Sequence, residues 1–300
     1  MKENFKSHLA LFIVALIYGA NYTIAKGVMP TYLEPFGFIV VRVSGAVMLF
    51  WITGIFVPEK INRKDIPLLA FCGLFGVAIN QLLFFKGLSM TTPINAAIIM
   101  VITPILVLLV ATSVASERIT PKKLSGILIG LLGAIILLLI KHDLTIGSLT
   151  WRGDLCILIN AISWGIYLVV AKPLIMKYRT ITVIKWVFLF AWFYVLPFGY
   201  SEFVEADFSM MPTDILLSVA FVVVGTTYFA YLLNNYALQK VSSSVVSIYI
   251  YLQPLLAAGI AVFLGRDEID AVKIVSGFLI FIGVYLVSSS DRANRNQNIQ

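Results

Sequence analysis

Charged residues are scarce in this sequence. Asp, Glu, Lys and Arg make up only 12% of its 300 residues, whereas residues of the AVILMFWYC class make up 60%. A soluble globular domain usually carries about 25% charged residues, because its surface needs polar cover. The composition therefore excludes a secreted enzyme, a nucleic-acid-binding protein and a disordered scaffold. It indicates a polytopic membrane protein.

The chain also has few residues suited to metal or covalent chemistry. It contains two cysteines, Cys72 and Cys156, and two histidines, His8 and His142. Both cysteines lie in apolar runs without the spacing of a disulfide or zinc framework, and two histidines are too few for a histidine-based metal cluster. No glycine-rich P-loop is present, which excludes ATP-driven pumping by this chain alone. We expect no metal, no cofactor and no enzymatic activity.

Long apolar runs dominate the rest of the sequence. A hydrocarbon core about 30 Å thick needs roughly 20 helical residues to cross it. Backbone polar groups must be paired in lipid, and these runs are far longer than the roughly 10-residue strands of a membrane barrel. The sequence therefore predicts an all-α polytopic membrane protein with ten transmembrane helices, near residues 8–27, 36–57, 66–88, 93–114, 122–140, 153–173, 181–200, 213–238, 242–264 and 271–289.

The positions of the basic residues predict the orientation. If the N-terminus is cytoplasmic, fifteen Lys and Arg residues fall in inner segments and six in outer segments. Cytoplasmic loops carry an excess of these residues. We therefore expect both termini to face the cytoplasm.

The two halves of the sequence resemble each other. A shift of 146 aligns Ala15-x-x-Tyr18-Gly19 with Ala161-x-x-Trp164-Gly165, and a shift of 150 aligns Pro104 with Pro254. We interpret residues 1–145 and 146–290 as two five-helix repeats, and 291–300 as a disordered cytoplasmic tail. Because each repeat has an odd number of spans, the second would be inverted in the membrane. Inverted repeats are common in transporters that work by alternating access.

Several motifs add a family resemblance. Ser116-Glu117-Arg118-Ile119-Thr120-Pro121, followed by Gly126 and Gly133, is similar to the Glu-Arg-x-Thr join between the fourth and fifth spans of the EamA branch of the drug/metabolite transporter superfamily. Arg42 in span 2 and Asn235-Tyr236-Ala237-Leu238 before the Pro254-containing ninth span also resemble that family, whereas Gly265-Arg266-Asp267-Glu268 at the second join is less regular. The resemblance implies a cavity surrounded by spans 1, 3, 4, 6, 8 and 9. It also implies small-molecule transport, often export of amino acids or other metabolites.

Polar and aromatic side chains inside the spans are the candidate site residues. Polar groups in a membrane usually face the bundle interior or a wet cavity. The alternatives are hydrogen bonding between packed helices for the amides, including Asn160, and core or lipid packing for the aromatic rings. The substrate-binding candidates are Tyr18, Asn21, Asn80, Gln81, Trp164, Tyr228, Tyr231, Asn234, Asn235 and Tyr249.

Cations and prolines form a second group of candidates. Lys26, Lys86 and Lys172 could attract an anion, although lysines near helix ends also extend their ammonium groups to the headgroups. Arg42 lies about 9 Å along its helix, assuming a rise of about 1.5 Å per residue, and is a candidate for a gating or structural contact with Glu34 or backbone carbonyls. Pro104 and Pro254 would bend their helices and are candidate hinges, with a static kink as the alternative.

All fifteen Asp and Glu residues fall in loops or at span ends. Proton-coupled pumps commonly use carboxylates within the membrane. Transport is therefore expected to be facilitated, or coupled by a route without a buried carboxylate.

Together these features predict a transporter in a bacterial cytoplasmic membrane that exports a small amphipathic metabolite such as an amino acid. Its partners would be that substrate and the lipid bilayer, with no nucleic acid and an undetermined oligomeric state. Two alternatives remain: an exchanger of organic anions or phosphorylated metabolites that uses Lys26, Arg42 and Lys86, and a membrane scaffold or lipid-handling protein without a polar path.

Overall fold

The computed structural model describes residues 2–115, 117, 119–139, 150–263 and 268–297. Ten helices in this part of the chain are long and apolar enough to cross a membrane, which confirms the predicted number. We number them span 1 to span 10: Phe5–Val28, Pro35–Ile55, Arg63–Met90, Pro93–Ala115, Pro121–Leu139, Trp151–Lys177, Thr180–Glu205, Thr213–Lys240, Ser243–Phe263 and Ala271–Asp291. Arg118 and His142 lie outside the described residues.

The last helix is longer than its apolar part. It runs from Ala271 to Gln297, so it continues past residue 290, the predicted end of the second repeat. Once a helix is formed, each added residue gains a hydrogen bond at little cost.

The main packing contacts connect the two halves of the chain. Span 5 packs on span 10, and span 2 packs on span 7. Span 6 packs on spans 3 and 4 of the first half. In the same way, span 1 packs on spans 8 and 9 of the second half. Exchanging each span for its counterpart in the other half reproduces the same set of pairs.

Spans 5 and 10 approach at backbone level. A methyl group on Gly283 would lie 2.7 Å from the Gly126 carbonyl oxygen and 2.8 Å from the Gly130 Cα and backbone nitrogen. Small residues at such crossings allow close helix packing in membranes. We call Gly126, Gly130 and Gly283 the glycine contact.

Four spans depart from regular α-helix at matching positions in the two halves. Spans 3 and 8 each contain a π-helical segment, Leu74–Ile79 and Val222–Phe229. Span 4 is interrupted after Met100, and span 9 by the 3₁₀ turn Tyr249–Tyr251. Both interruptions lie just before Pro104 and Pro254, the candidate hinge residues. A proline cannot donate the i→i−4 hydrogen bond, so the regular helix is broken there.

The residues of the Glu-Arg-x-Thr motif that the structure describes join several spans at one end of the bundle. Glu117 accepts hydrogen bonds from Lys123 Nζ at 2.5 Å and from Ser244 Oγ, at the start of span 9, at 2.8 Å. Thr120 Oγ1 lies 2.6 Å from Ser290 Oγ of span 10 and accepts from the Lys123 backbone N–H. The motif therefore connects spans 5, 9 and 10.

Candidate functional site

A cavity lies between the two halves of the bundle. Its volume is about 80 Å³, and one buried water needs roughly 10–15 Å³ of such space. It is therefore large enough for several waters or part of a small solute. Its lining comes from spans 1, 2, 3, 4, 6, 8 and 9: Leu11, Val14, Ala15, Tyr18, Asn21, Tyr22, Arg42, Asn80, Gln81, Phe84, Met100, Asn160, Trp164, Tyr231, Asn234, Val246, Tyr249, Ile250 and Gln253.

Most of the predicted substrate-binding residues lie in this lining. They are Tyr18, Asn21, Asn80, Gln81, Trp164, Tyr231, Asn234 and Tyr249. The other two face neighbouring helices. The Tyr228 hydroxyl lies 2.7 Å from Thr53 Oγ1 of span 2, and Asn235 Oδ1 accepts a 2.7 Å hydrogen bond from the Tyr167 hydroxyl. These two side chains therefore make contacts between packed helices, the alternative to substrate binding given above.

Tyr231 is the centre of the polar network in the cavity wall. Its hydroxyl donates to the Gly76 carbonyl oxygen at 2.8 Å and accepts from Gln81 Nε2 at 2.6 Å. Its ring packs edge-on against Trp164 and Phe188, with centroid distances of 5.6 and 4.9 Å. Because Gly76 belongs to the π-helical segment of span 3, this network joins that segment to span 8.

Amide side chains form a second polar group. Asn160 Nδ2 donates to the Asn80 backbone oxygen at 2.7 Å, while Asn80 Nδ2 lies 3.5 Å from the Asn160 backbone oxygen. Oδ1 of Asn160 and Oδ1 of Asn21 are buried and have no hydrogen-bond partner among the described residues. Two acceptors in the cavity wall are therefore unsatisfied by the protein.

Arg42 is the one cationic residue in the described lining, where no Asp or Glu is found. Its side chain is 2% exposed. Nε donates to Thr227 Oγ1, Nη2 donates to the Thr226 carbonyl oxygen at 3.3 Å, and the guanidinium carbon lies 5.0 Å from the centroid of the Phe85 ring. The predicted contact with backbone carbonyls is thus present, to the π-helical segment of span 8.

Other lining residues were not selected from the sequence. Tyr22 and Gln253 line the cavity, and the Tyr22 hydroxyl donates to Gln253 Oε1 at 3.4 Å. An amide inside an apolar run was a usable signal for Gln253. Tyr22 follows Asn21 directly, and both residues line the cavity although neighbouring helical residues point about 100° apart.

The three predicted anion-attracting lysines lie outside the cavity lining. Lys26 Nζ donates to the Leu88, Ser89 and Thr91 carbonyl oxygens at 2.7, 3.0 and 3.1 Å, at the end of span 3. Lys172 Nζ donates to the Val241 oxygen at 2.9 Å, at the end of span 8. Cations at helix C-termini satisfy carbonyls that have no partner within the helix and favour the helix dipole.

Lys26→Met is expected to lower the free energy of unfolding by about 1–3 kcal/mol, because three carbonyl oxygens lose a charged donor. Thermal unfolding in detergent measures this loss. The matched control is Lys86→Met, since Lys86 Nζ lies 5.5 Å from the Phe36 ring centroid and its loss removes a weaker contact. Unchanged stability with weaker binding of an anionic solute would instead assign Lys26 to an anion site.

Comparisons with known proteins agree with this architecture. The profile of the EamA-like transporter family matches residues 5–139 and 151–289. An uncharacterized transporter of Archaeoglobus fulgidus is 26% identical over 95% of this chain and 98% of its own. A probable terminal-alkyne amino-acid exporter of Streptantibioticus cattleyicolor is 23% identical over 79% of this chain and 77% of its own.

The fold has a counterpart among solved structures. One crystal structure of 19% sequence identity superposes with a TM-score of 0.77, covering 96% of this chain and 98% of that chain. Five membrane-crossing helices lie in each of the two stretches that match the family profile. The chain is a multi-pass membrane protein that belongs to the EamA-like transporter family.

Proposed function

We propose that this protein is a secondary transporter that exports a small amphipathic metabolite, such as an amino acid, across a bacterial cytoplasmic membrane. The observation that carries the proposal is the cavity between the two halves, whose lining combines apolar and aromatic side chains with six amides and one guanidinium. Ligand sites have this composition: mostly apolar walls with a small number of placed polar groups. The name of the Streptantibioticus relative supports both export and the amino-acid class.

The proposed mechanism is alternating access of an inverted repeat. Five spans in each half place the second half upside down relative to the first, with both termini cytoplasmic. The exchange of equivalent packing pairs between the halves supports a pseudo-twofold axis of this kind. In such transporters the substrate site lies at the repeat interface, and the helices rock around it. The interruptions before Pro104 and Pro254 are the proposed hinges.

Two alternatives are less well supported by the positions of the side chains. The exchanger of organic anions or phosphorylated metabolites would use Lys26, Arg42 and Lys86, of which Arg42 alone is in the described cavity lining. A scaffold without a polar path would have no use for buried amide oxygens that lack partners. Buried polar groups without hydrogen bonds are costly and call for an explanation.

Val246→Trp tests the proposal. Val246 is 4% exposed and lines the cavity, so an indole at this position fills the proposed path. The control is Val275→Trp on span 10, where the side chain is 52% exposed. In a deletion strain compared by intracellular and medium metabolite pools, the wild type and Val275→Trp should restore export and Val246→Trp should not. Export restored by a stably folded Val246→Trp protein would rule out this path.

A further inference from the structure

Arg42 offers a buried positive charge that the described protein does not neutralise. Two of its five N–H donors, on Nε and Nη2, bond to neutral oxygens of Thr227 and Thr226. No Asp or Glu of the described residues lies within ion-pair distance of it, and the guanidinium lines the cavity. A buried charge without a counter-ion is costly, and a guanidinium presents a planar fork of donors that matches a carboxylate.

Arg42 needs a hydrogen-bond acceptor, whereas the unsatisfied oxygens of Asn21 and Asn160 need a donor. Asn21 is 4% exposed and Asn160 2% exposed, and both line the same cavity as Arg42. Asn160 Nδ2 already donates to the Asn80 oxygen, so the orientation of that amide is fixed and Oδ1 is the atom without a partner. An ammonium group brings three donors and no acceptor. Its N–H groups can therefore donate to oxygens of this kind.

The remaining wall is apolar and aromatic. Leu11, Val14, Met100 and Val246 line the cavity beside the Trp164 ring. Such a wall favours an apolar side chain, since burial of apolar surface stabilises a complex by about 25 cal/mol per Å². A phosphate is disfavoured, because one guanidinium would face two negative charges with no second cation in the described lining.

We propose that the cavity binds a small zwitterion, with Arg42 holding its carboxylate, the Asn21 and Asn160 side-chain oxygens accepting from its ammonium group, and the apolar wall contacting its side chain. This inference rests on the proposed transport function and assigns the two charged ends of the substrate to named atoms. It also explains how a cavity whose described lining has no acidic residue can bind an ammonium group: neutral oxygens satisfy the donors without forming an internal ion pair with Arg42.

The test uses the full-length protein in proteoliposomes with radiolabelled L-leucine, L-methionine and L-phenylalanine. For each amino acid that is transported, two competitors are compared: the acid that lacks the amino group and the amine that lacks the carboxylate. For L-leucine these are 4-methylpentanoate and 3-methylbutylamine. In the wild type, each competitor should inhibit more weakly than the unlabelled amino acid.

Three variants separate the two ends of the substrate. Arg42→Gln should lower uptake at least 100-fold and abolish inhibition by the acid, and Arg42→Lys should retain part of both. Asn21→Leu should raise KM about tenfold while inhibition by the acid stays as in the wild type. Lys185→Gln is the control for loss of a buried cation, because Lys185 is 8% exposed and contacts Trp51 outside the cavity lining; its uptake should match the wild type.

Each outcome decides between the two proposals. If the wild type carries amino acids and the Arg42 and Asn21 variants leave competition by the acid and the amine unchanged, the zwitterion site is wrong and the transport function stands. If the wild type carries none of the three, and the metabolite comparison with Val246→Trp finds an exported solute without a carboxylate, the site is likewise wrong. If no solute depends on the cavity, the proposed function also fails. Should Arg42→Gln not fold, Arg42→Lys and Asn21→Leu carry the test.

Discussion

Gly283→Ala should destabilise the folded protein by about 2–3 kcal/mol, the cost typical of inserting a methyl group into a well-packed contact. The new methyl would lie 2.7 Å from the Gly126 carbonyl oxygen and 2.8 Å from two backbone atoms of Gly130. These neighbours are backbone, so spans 5 and 10 have to separate along the glycine contact. Thermal unfolding of the purified protein in detergent, with chemical denaturation as a second probe, measures the loss.

Gly277→Ala on the same helix is the matched control. A methyl there would lie 3.4 Å from a Leu255 methyl group, and no backbone atom of another helix among the described residues would lie within 4 Å of it. Since alanine is favoured over glycine in a helix by about 1 kcal/mol, this variant should be as stable as the wild type or more so. Equal melting temperatures for the two variants would mean that the glycine contact does not determine how closely the two spans approach.

Tyr231→Phe should lower both stability and transport. The change removes one oxygen atom, which leaves the Gly76 carbonyl without its side-chain donor and Gln81 Nε2 without its acceptor. Leaving a buried polar group unsatisfied costs about 1–3 kcal/mol. Gln81 lines the cavity, so its release should also raise KM at least tenfold in the proteoliposome assay.

The control for Tyr231 is a tyrosine outside the cavity lining whose hydroxyl also both donates and accepts a hydrogen bond. The Tyr178 hydroxyl donates to Asp65 Oδ2 at 2.5 Å and accepts from the Asn62 backbone N–H at 3.1 Å. Tyr178→Phe should lose stability and keep the KM of the wild type. A raised KM in both variants would point to general loosening of the bundle rather than to the Gln81 network.

The number of spans could be predicted from the sequence because the length of each apolar run can be compared with the thickness of the membrane. The repeat positions of Pro104 and Pro254 likewise predicted where spans 4 and 9 are interrupted, since the missing N–H acts locally. The π-helical segments could not be predicted in this way. Each depends on contacts between distant residues, such as Tyr231 with Gly76 and Arg42 with Thr226.

The candidate site was predicted in its residue types more than in the direction of each side chain. Asn234 lines the cavity while Asn235, its neighbour, bonds to Tyr167 on another helix. Residue type does not distinguish the two asparagines. The direction in which each side chain points depends on the rotation along the helix, and the π-helical segment before them changes that rotation. The lysines show the same limit: hydropathy places Lys26 near a helix end, but the carbonyls it caps belong to a span more than sixty residues further along the chain.

Main-chain carbonyl oxygens of the two π-helical segments accept hydrogen bonds from side chains, and two of these side chains, Tyr231 and Arg42, line the cavity. The Gly76 oxygen accepts from Tyr231, the Thr226 oxygen accepts from Arg42, and the Val222 oxygen accepts from the hydroxyls of both Thr226 and Thr227. Because these acceptors belong to the main chain, replacing the side chain at the same position does not remove them. Alanine scanning of spans 3 and 8 would therefore miss them, whereas amide-to-ester substitution, which weakens a single carbonyl, would reveal how much of the substrate preference the peptide backbone itself encodes.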